Sequence, residues 1–124
     1  MTAKLYVCLT CRSGEDIPEG ETRPGTLLHQ ALTADAAPEG VEIVGVKCLS
    51  ACSNGASVAL TAPGKWSYVY GHMNVDDAPD ILAGAAAYAA TDDGLVPWRE
   101  RPVQFRKQSL GRIPPFILPQ ELDT

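Results

Sequence analysis

Leu5-Tyr6-Val7-Cys8-Leu9-Thr10-Cys11 and Val41-Glu42-Ile43-Val44-Gly45-Val46-Lys47-Cys48 decide how this chain folds. Each is a short β-prone run that ends on a cysteine, and each cysteine is soon followed by another, Cys11 and Cys52. The first run predicts a strand over residues 5–9. The second alternates apolar residues with others except at Val44, the pattern of a strand covered on both faces. Between them, residues 10–25 hold Gly14, Pro18, Gly20, Pro24 and Gly25 without periodicity and read as loop. Thr26 then predicts a helix N-cap. Leu27, Leu28, Ala31 and Leu32 fall on one side of a 3.6-residue period, so a helix is expected over 27–36, stopped by Pro38-Glu39-Gly40.

Further along, Leu49 to Ala56 is a loop of small residues carrying Cys52, Asn54 and Gly55. Ser57–Thr61 and Trp66–Tyr70 are two short strands joined through Ala62-Pro63-Gly64-Lys65. Pro-Gly suits the centre of a type II turn, because proline fixes its own φ and glycine accepts the positive φ that follows. Asp76, Asp77 and Pro79 open a second helix with Ile81, Ala85, Tyr88 and Ala89 on its apolar face, and Gly94 reads as its C-terminal cap. Prolines at 97, 102, 114, 115 and 119 make residues 95–124 read as an extended tail over the surface rather than another helix.

The order is β-α-β-β-β-α. A right-handed crossover makes the first two strands parallel, and the hairpin adds the antiparallel half. The expected fold is α/β: a four-stranded mixed sheet of thioredoxin-like topology with helices packed against it. Residues 1–98 are read as the metal-binding domain and 99–124 as a tail packing on it. Cys8 and Cys48 end parallel neighbours, so both fall at the sheet edge where open α/β sheets carry their sites. The loops beyond them bring Cys11 and Cys52.

The cysteine pattern is Cys-x2-Cys, thirty-six intervening residues, then Cys-x3-Cys. Cys8, Cys11, Cys48 and Cys52 are therefore the candidate metal ligands. A [2Fe–2S] cluster needs two ligands per iron, and two short-spaced pairs meet that count. Thiolates are soft anionic donors that favour iron. Leu49, Ala51, Gly55 and Ala56 leave backbone N–H groups free to face cluster sulfurs. Four thiolates equally make a tetrahedral zinc site. Cys8 and Cys11 could instead form a redox dithiol, although Arg12-Ser13-Gly14 does not supply the helix N-terminus that such a pair uses.

The net charge of −5 and pI near 4.8 disfavour nucleic acid as a partner. Charge is uneven: residues 1–94 carry five basic and twelve acidic side chains, residues 95–124 five and three. No secretory signal or membrane-length apolar run is visible, so a cytoplasmic protein without membrane insertion is expected, where paired cysteines point to metal or redox chemistry rather than disulfides. No nucleophile–base constellation or phosphate-binding glycine loop appears, which favours an electron carrier or metal-binding module over a hydrolase or transferase.

With the cysteines placed, the chain resembles a bacterial family of predicted metal-binding proteins, itself similar to thioredoxin-like [2Fe–2S] ferredoxins. The resemblance runs through Val7-Cys8-Leu9-Thr10-Cys11, Arg23-Pro24-Gly25, Cys48-Leu49-Ser50-Ala51-Cys52, Lys65-Trp66-Ser67-Tyr68 and Arg112-Ile113-Pro114-Pro115. It implies that the four cysteines ligate a [2Fe–2S] cluster serving one-electron transfer. It also implies a role in cobalamin-related metabolism. The two residues between Cys8 and Cys11 are fewer than in thioredoxin-like ferredoxins, which keeps zinc open. The expected partner is an unidentified redox protein, with homodimerisation open.

Other side chains carry weaker readings. His29 and His72 are expected to be structural. Trp66, Tyr68 and Tyr70 share a strand face expected to pack under a helix or the tail. Arg23 is a candidate positive group near the cysteine loops, and Arg99, Arg101, Arg106, Lys107 and Arg112 could steer a partner.

Overall fold

Ala3, Leu5 and Val7 are fully buried on one side of the first strand, β1 (Ala3–Cys8), while Lys4 is exposed on the other. That alternation sets a sheet with its core on one face. The computed structural model describes residues 3–9, 24–34, 37–47, 49 and 56–115. Its elements are β1, α1 (Pro24–Thr33), β2 (Val41–Val46), β3 (Ala56–Thr61), β4 (Ser67–Met73), α2 (Ala78–Ala90), α3 (Val103–Lys107) and β5 (Ser109–Ile113). The sheet order is β2-β1-β3-β4-β5.

β1 and β2 are parallel, with Ala3 opposite Val41 and Cys8 opposite Val46. β3 runs antiparallel to β1, from Lys4 opposite Thr61 to Val7 opposite Val58. The β3–β4 hairpin closes as its sequence demands: Lys65 N–H donates to Ala62 O at 3.2 Å, and Gly64 takes φ +73°. The parallel pair and the hairpin are thus where they were expected.

Leu5, Val7, Val58, Leu60, Tyr68 and Tyr70 meet Leu28 and Leu32 of α1 and Ile81, Ala85 and Tyr88 of α2 in one buried cluster. The aromatic face of β4 packs as expected. Tyr68 stacks beside Tyr70 and meets Tyr88 edge-on, and Phe105 lies flat on Tyr70 at 4.0 Å between ring centroids.

Four expectations are corrected. The sheet has five strands rather than four. The tail segment is not merely extended: Trp98–Glu100 forms a 3-10 turn, Val103–Lys107 a short helix, and Ser109–Ile113 pairs antiparallel with β4 as the new edge. Proline does not prevent this, because Pro97 and Pro102 precede the two turns, where no backbone donor is lost. Helix α1 begins at Pro24, inside the expected loop, so Thr26 lies in its first turn instead of capping it. Finally, α2 ends at Ala90 with Thr91 as its cap, and Gly94 serves a different purpose. Gly94 takes φ +84°, and a Cβ there would sit 2.9 Å from the backbone of Trp66 and from the Tyr88 ring, so the position needs glycine on both counts.

Candidate metal centre

The end of the sheet at which Cys8 lies is built by four strand ends. β1 finishes at Cys8, β2 at Val46 and β4 at Met73, and β3 begins at Ala56. The register makes these ends neighbours: Cys8 faces Val46, and Ala56 faces Met73. Leu9 N–H extends the ladder by donating to Val46 O at 2.8 Å. Helix α1 starts at the same edge, tied there by the Thr26 hydroxyl, which donates to Leu9 O at 2.8 Å. The positive end of a ten-residue helix therefore points toward the end of β1, a favourable setting for negative charge.

Cys8 is a free, buried thiol, 1% exposed. Its Sγ makes a weak donor contact to Lys47 O at 3.9 Å. By strand alternation it lies with Lys4 and Tyr6, on the face of β1 opposite Leu5 and Val7. Burial at a strand end matters for the redox-dithiol alternative. An attacking cysteine needs solvent access, and Cys8 is shut away from it. Cys11, Cys48, Cys52 and Arg23 lie outside the described residues. Among the described residues, no group of three or more histidines, cysteines or carboxylates is placed to hold a metal ion.

Whether this edge suits a thiolate-ligated metal is tested by the polar groups around Cys8. Ser57 is 0% exposed, and its Oγ has no hydrogen-bond partner. The β1–β3 register, carried one residue beyond Val7–Val58, sets Ser57 across from Cys8 on the same face. On its other side a bulge opens. Gly71 and His72 of β4 both span the position of Ser57, between the Ala56–Met73 and Val58–Tyr70 pairs. His72 takes φ +55° there, and its side chain is exposed. The Gln108 amide, with its nitrogen toward β4, donates to Gly71 O and His72 O at 2.9 and 3.0 Å and holds the bulge. A buried hydroxyl without an acceptor beside a buried cysteine fits a site whose sulfur becomes an acceptor on ligation. The donor chemistry around Cys8 therefore fits a metal or cluster held by thiolates.

His29 is half-buried within α1, and His72 is on the bulge; neither is placed with Cys8 in a metal-ligating group among the described residues. On the helix-covered face, Tyr68, Tyr70, Tyr88, Arg101 and Phe105 line a cavity of about 10 Å³, about the room of one water. That space holds no organic substrate. Burial, then the neighbouring Tyr68, pushes the Tyr88 phenol up to about 12 and raises Tyr70 as well. These are core phenols held protonated, and they offer no base for catalysis. Of the basic tail residues, Arg101 donates to Val96 O and Arg106 to Trp98 O and Arg99 O. The Arg101 guanidinium lies over the Tyr68 and Trp98 rings, and that of Arg112 over Trp66.

The residue that sequence reading missed is Ser57. A serine opening a strand carries no signal by itself; only its register with Cys8 gives it meaning.

No helix among the described residues is long and apolar enough to cross a membrane. The fold is similar to that of a thioredoxin-like [2Fe–2S] ferredoxin from Aquifex aeolicus. The two share 18% identity over 94% of this chain and 98% of that one, with a TM-score of 0.55. At that identity the likeness is one of fold, and it matches the mixed α/β architecture expected from the sequence. No curated protein matches the chain. Residues 5–115 match one family model, and the chain belongs to that family, described as protein of unknown function DUF1636.

Proposed function

We propose that this chain is a [2Fe–2S] protein carrying single electrons, with Cys8, Cys11, Cys48 and Cys52 as the cluster ligands. The observation that carries the reading is the position of Cys8. It is buried at the edge where β1 and β2 end side by side and β3 begins. In the sequence, Cys11 follows Cys8 by three residues, Cys48 follows Lys47 directly, and Cys52 precedes Ala56 by four. The fold it shares with a protein described as a [2Fe–2S] ferredoxin supports the same reading.

A bound cluster would supply a one-electron couple that no side chain of this protein provides. The chain's part is to hold four deprotonated sulfurs, exclude water and offset their negative charge. Cys8 is already out of solvent, and the α1 N-terminus lies at the same edge. The partner is a second redox protein. The tail, with Arg99 and Lys107 exposed and Trp98 59% exposed beside Arg101, offers it a positive surface. A place in cobalamin-related metabolism rests on the family resemblance alone. Structural zinc on the same four sulfurs is the competing reading.

Iron, zinc and acid-labile sulfide analysis of anaerobically purified protein tests the proposal. Two irons and two sulfides per chain, with a paramagnetic mixed-valence signal after one-electron reduction, are expected. One zinc and no sulfide would sink it, once anaerobic reconstitution with iron and sulfide had also failed.

A further inference from the structure

We infer that Ser57 is a positioning residue whose hydroxyl donates a hydrogen bond to the Cys8 sulfur when that sulfur ligates metal, and so raises the reduction potential of the centre. This rests on the iron–sulfur reading above and goes beyond it, because it assigns a role to a residue outside the four cysteines.

Three observations combine. Ser57 is fully buried, and its Oγ lacks any partner, so the hydroxyl's loss of water is left uncompensated. The β1–β3 register, carried one residue beyond its last pair Val7–Val58, sets it across from Cys8, and directly opposed side chains on one face have Cβ atoms roughly 4.5–5.5 Å apart. Cys8, as a thiol, spends its one proton on Lys47 O at 3.9 Å.

Ligation changes that arrangement. The thiol proton leaves to solvent as the metal binds, and the sulfur becomes an acceptor only. It then has nothing to offer Lys47 O, and it needs donors. Ser57 is a donor in need of an acceptor, already buried beside it, and a hydroxyl reorients by turning χ1 without moving the backbone. The β4 bulge at Gly71 and His72 leaves Ser57 without a one-to-one partner on its other side, so the hydroxyl's nearest use is toward β1. A hydrogen bond to a ligating sulfur withdraws electron density and favours the reduced, more negative state.

Metal and sulfide analysis first establishes what the loaded chain holds. With the cluster present, Ser57→Ala should lower the reduction potential at unchanged iron and sulfide content, and Ser57→Thr, which keeps the hydroxyl, should return it toward wild type. An unchanged potential in Ser57→Ala overturns the inference and leaves the iron–sulfur reading standing. If the chain holds zinc instead, that reading fails. The inference is then decided by chelator-driven zinc release, which should be several-fold faster in Ser57→Ala, whereas equal rates overturn it. In the reduced metal-free chain, the β protons of Cys8 and Ser57 should show a nuclear Overhauser contact, and its absence from a folded sample refutes the placement outright.

Discussion

Replacing Gly84 with alanine should destabilise this protein, although alanine is the better helix former. Gly84 lies in the middle of α2, where the glycine-to-alanine change alone favours folding by about 1 kcal/mol. The space forbids it. A Cβ on Gly84 would run into Cε2 of Phe105 and stand 2.7 and 2.9 Å from its Cδ2 and Cζ. A ring that close must shift, and Phe105 has nowhere to go, because its other face lies on Tyr70 at 4.0 Å with an interplanar angle of 9°. Overpacking of this kind costs about 1–3 kcal/mol. The two effects leave a net loss of about 1 kcal/mol, or a fall of roughly 3–6 °C in Tm for a chain of this size.

The mechanism is isolated by a double-mutant cycle. Phe105→Ala removes a buried aromatic side chain and should cost up to about 3–5 kcal/mol. With the ring gone, Gly84→Ala meets no obstacle and should stabilise by up to about 1 kcal/mol, so its sign reverses between backgrounds. The coupling is then about 2 kcal/mol, well above the roughly 0.5 kcal/mol within which independent sites add. Urea unfolding of the four proteins, with m-values compared, measures it. If Gly84→Ala stabilises the protein with Phe105 in place, or if the two changes are additive, Phe105 is not wedged between α2 and β4 and the docking of α3 described above is wrong.

Further perturbations follow from the same geometry. Gly94→Ala combines a forced positive φ with a clash against the Trp66 backbone and should cost about 2 kcal/mol or more in denaturant midpoint analysis. Lys65 donates to Tyr88 O and Ala89 O at 3.3 and 2.9 Å, so Lys65→Met should weaken the C-terminal end of α2 by about 1 kcal/mol, read as faster amide exchange in its last turn. The Tyr88 phenol titrates near 12 in the folded protein against 10.0 for a free tyrosine, so the unfolded chain loses its proton first. The stability it contributes is full below about pH 10 and lost as pH rises through about 12, and Tyr88→Phe should flatten that slope in alkaline unfolding curves. Cys8→Ser should abolish or sharply reduce bound iron and sulfide, whereas His29→Ala and His72→Ala should leave both near wild type; full cluster retention in Cys8→Ser would remove it from the ligand set.

Much of the fold was legible because local and long-range preferences agreed. Val41–Val46 could read as a strand because β-branched residues run through it, although β2 is an edge strand with only Val41 buried rather than one covered on both faces, and Pro63-Gly64 could only be a turn. β5 was not legible for a physical reason. Ser109, Leu110, Gly111, Arg112 and Ile113 are all exposed, so no apolar alternation marks them. The segment is a strand because β4 offers it an open edge and because Phe105, one turn earlier, anchors α3 between Gly84 and Tyr70. Such an element takes its identity from what it lies against, and flanking prolines at 102, 114 and 115 misled in the same direction.

The candidate site divides along a similar line. Side-chain chemistry announces itself by type: four cysteines in two close pairs ask for a metal wherever the chain puts them. Support for those ligands does not, because a hydroxyl or a helix end has meaning only through position. Thr26 looked like a cap from sequence and in fact ties the start of α1 to Leu9 O, next to Cys8. Ser57 looked like an ordinary strand residue. It becomes a candidate tuning group only because Val7 pairs with Val58, the next step reaches Cys8, and a bulge in β4 leaves its other side open. The potential of the centre then responds to a residue that can be changed without touching any ligand. Substitutions at Ser57 should then move the potential while metal content stays constant, whereas substitutions at Cys8 should remove the metal.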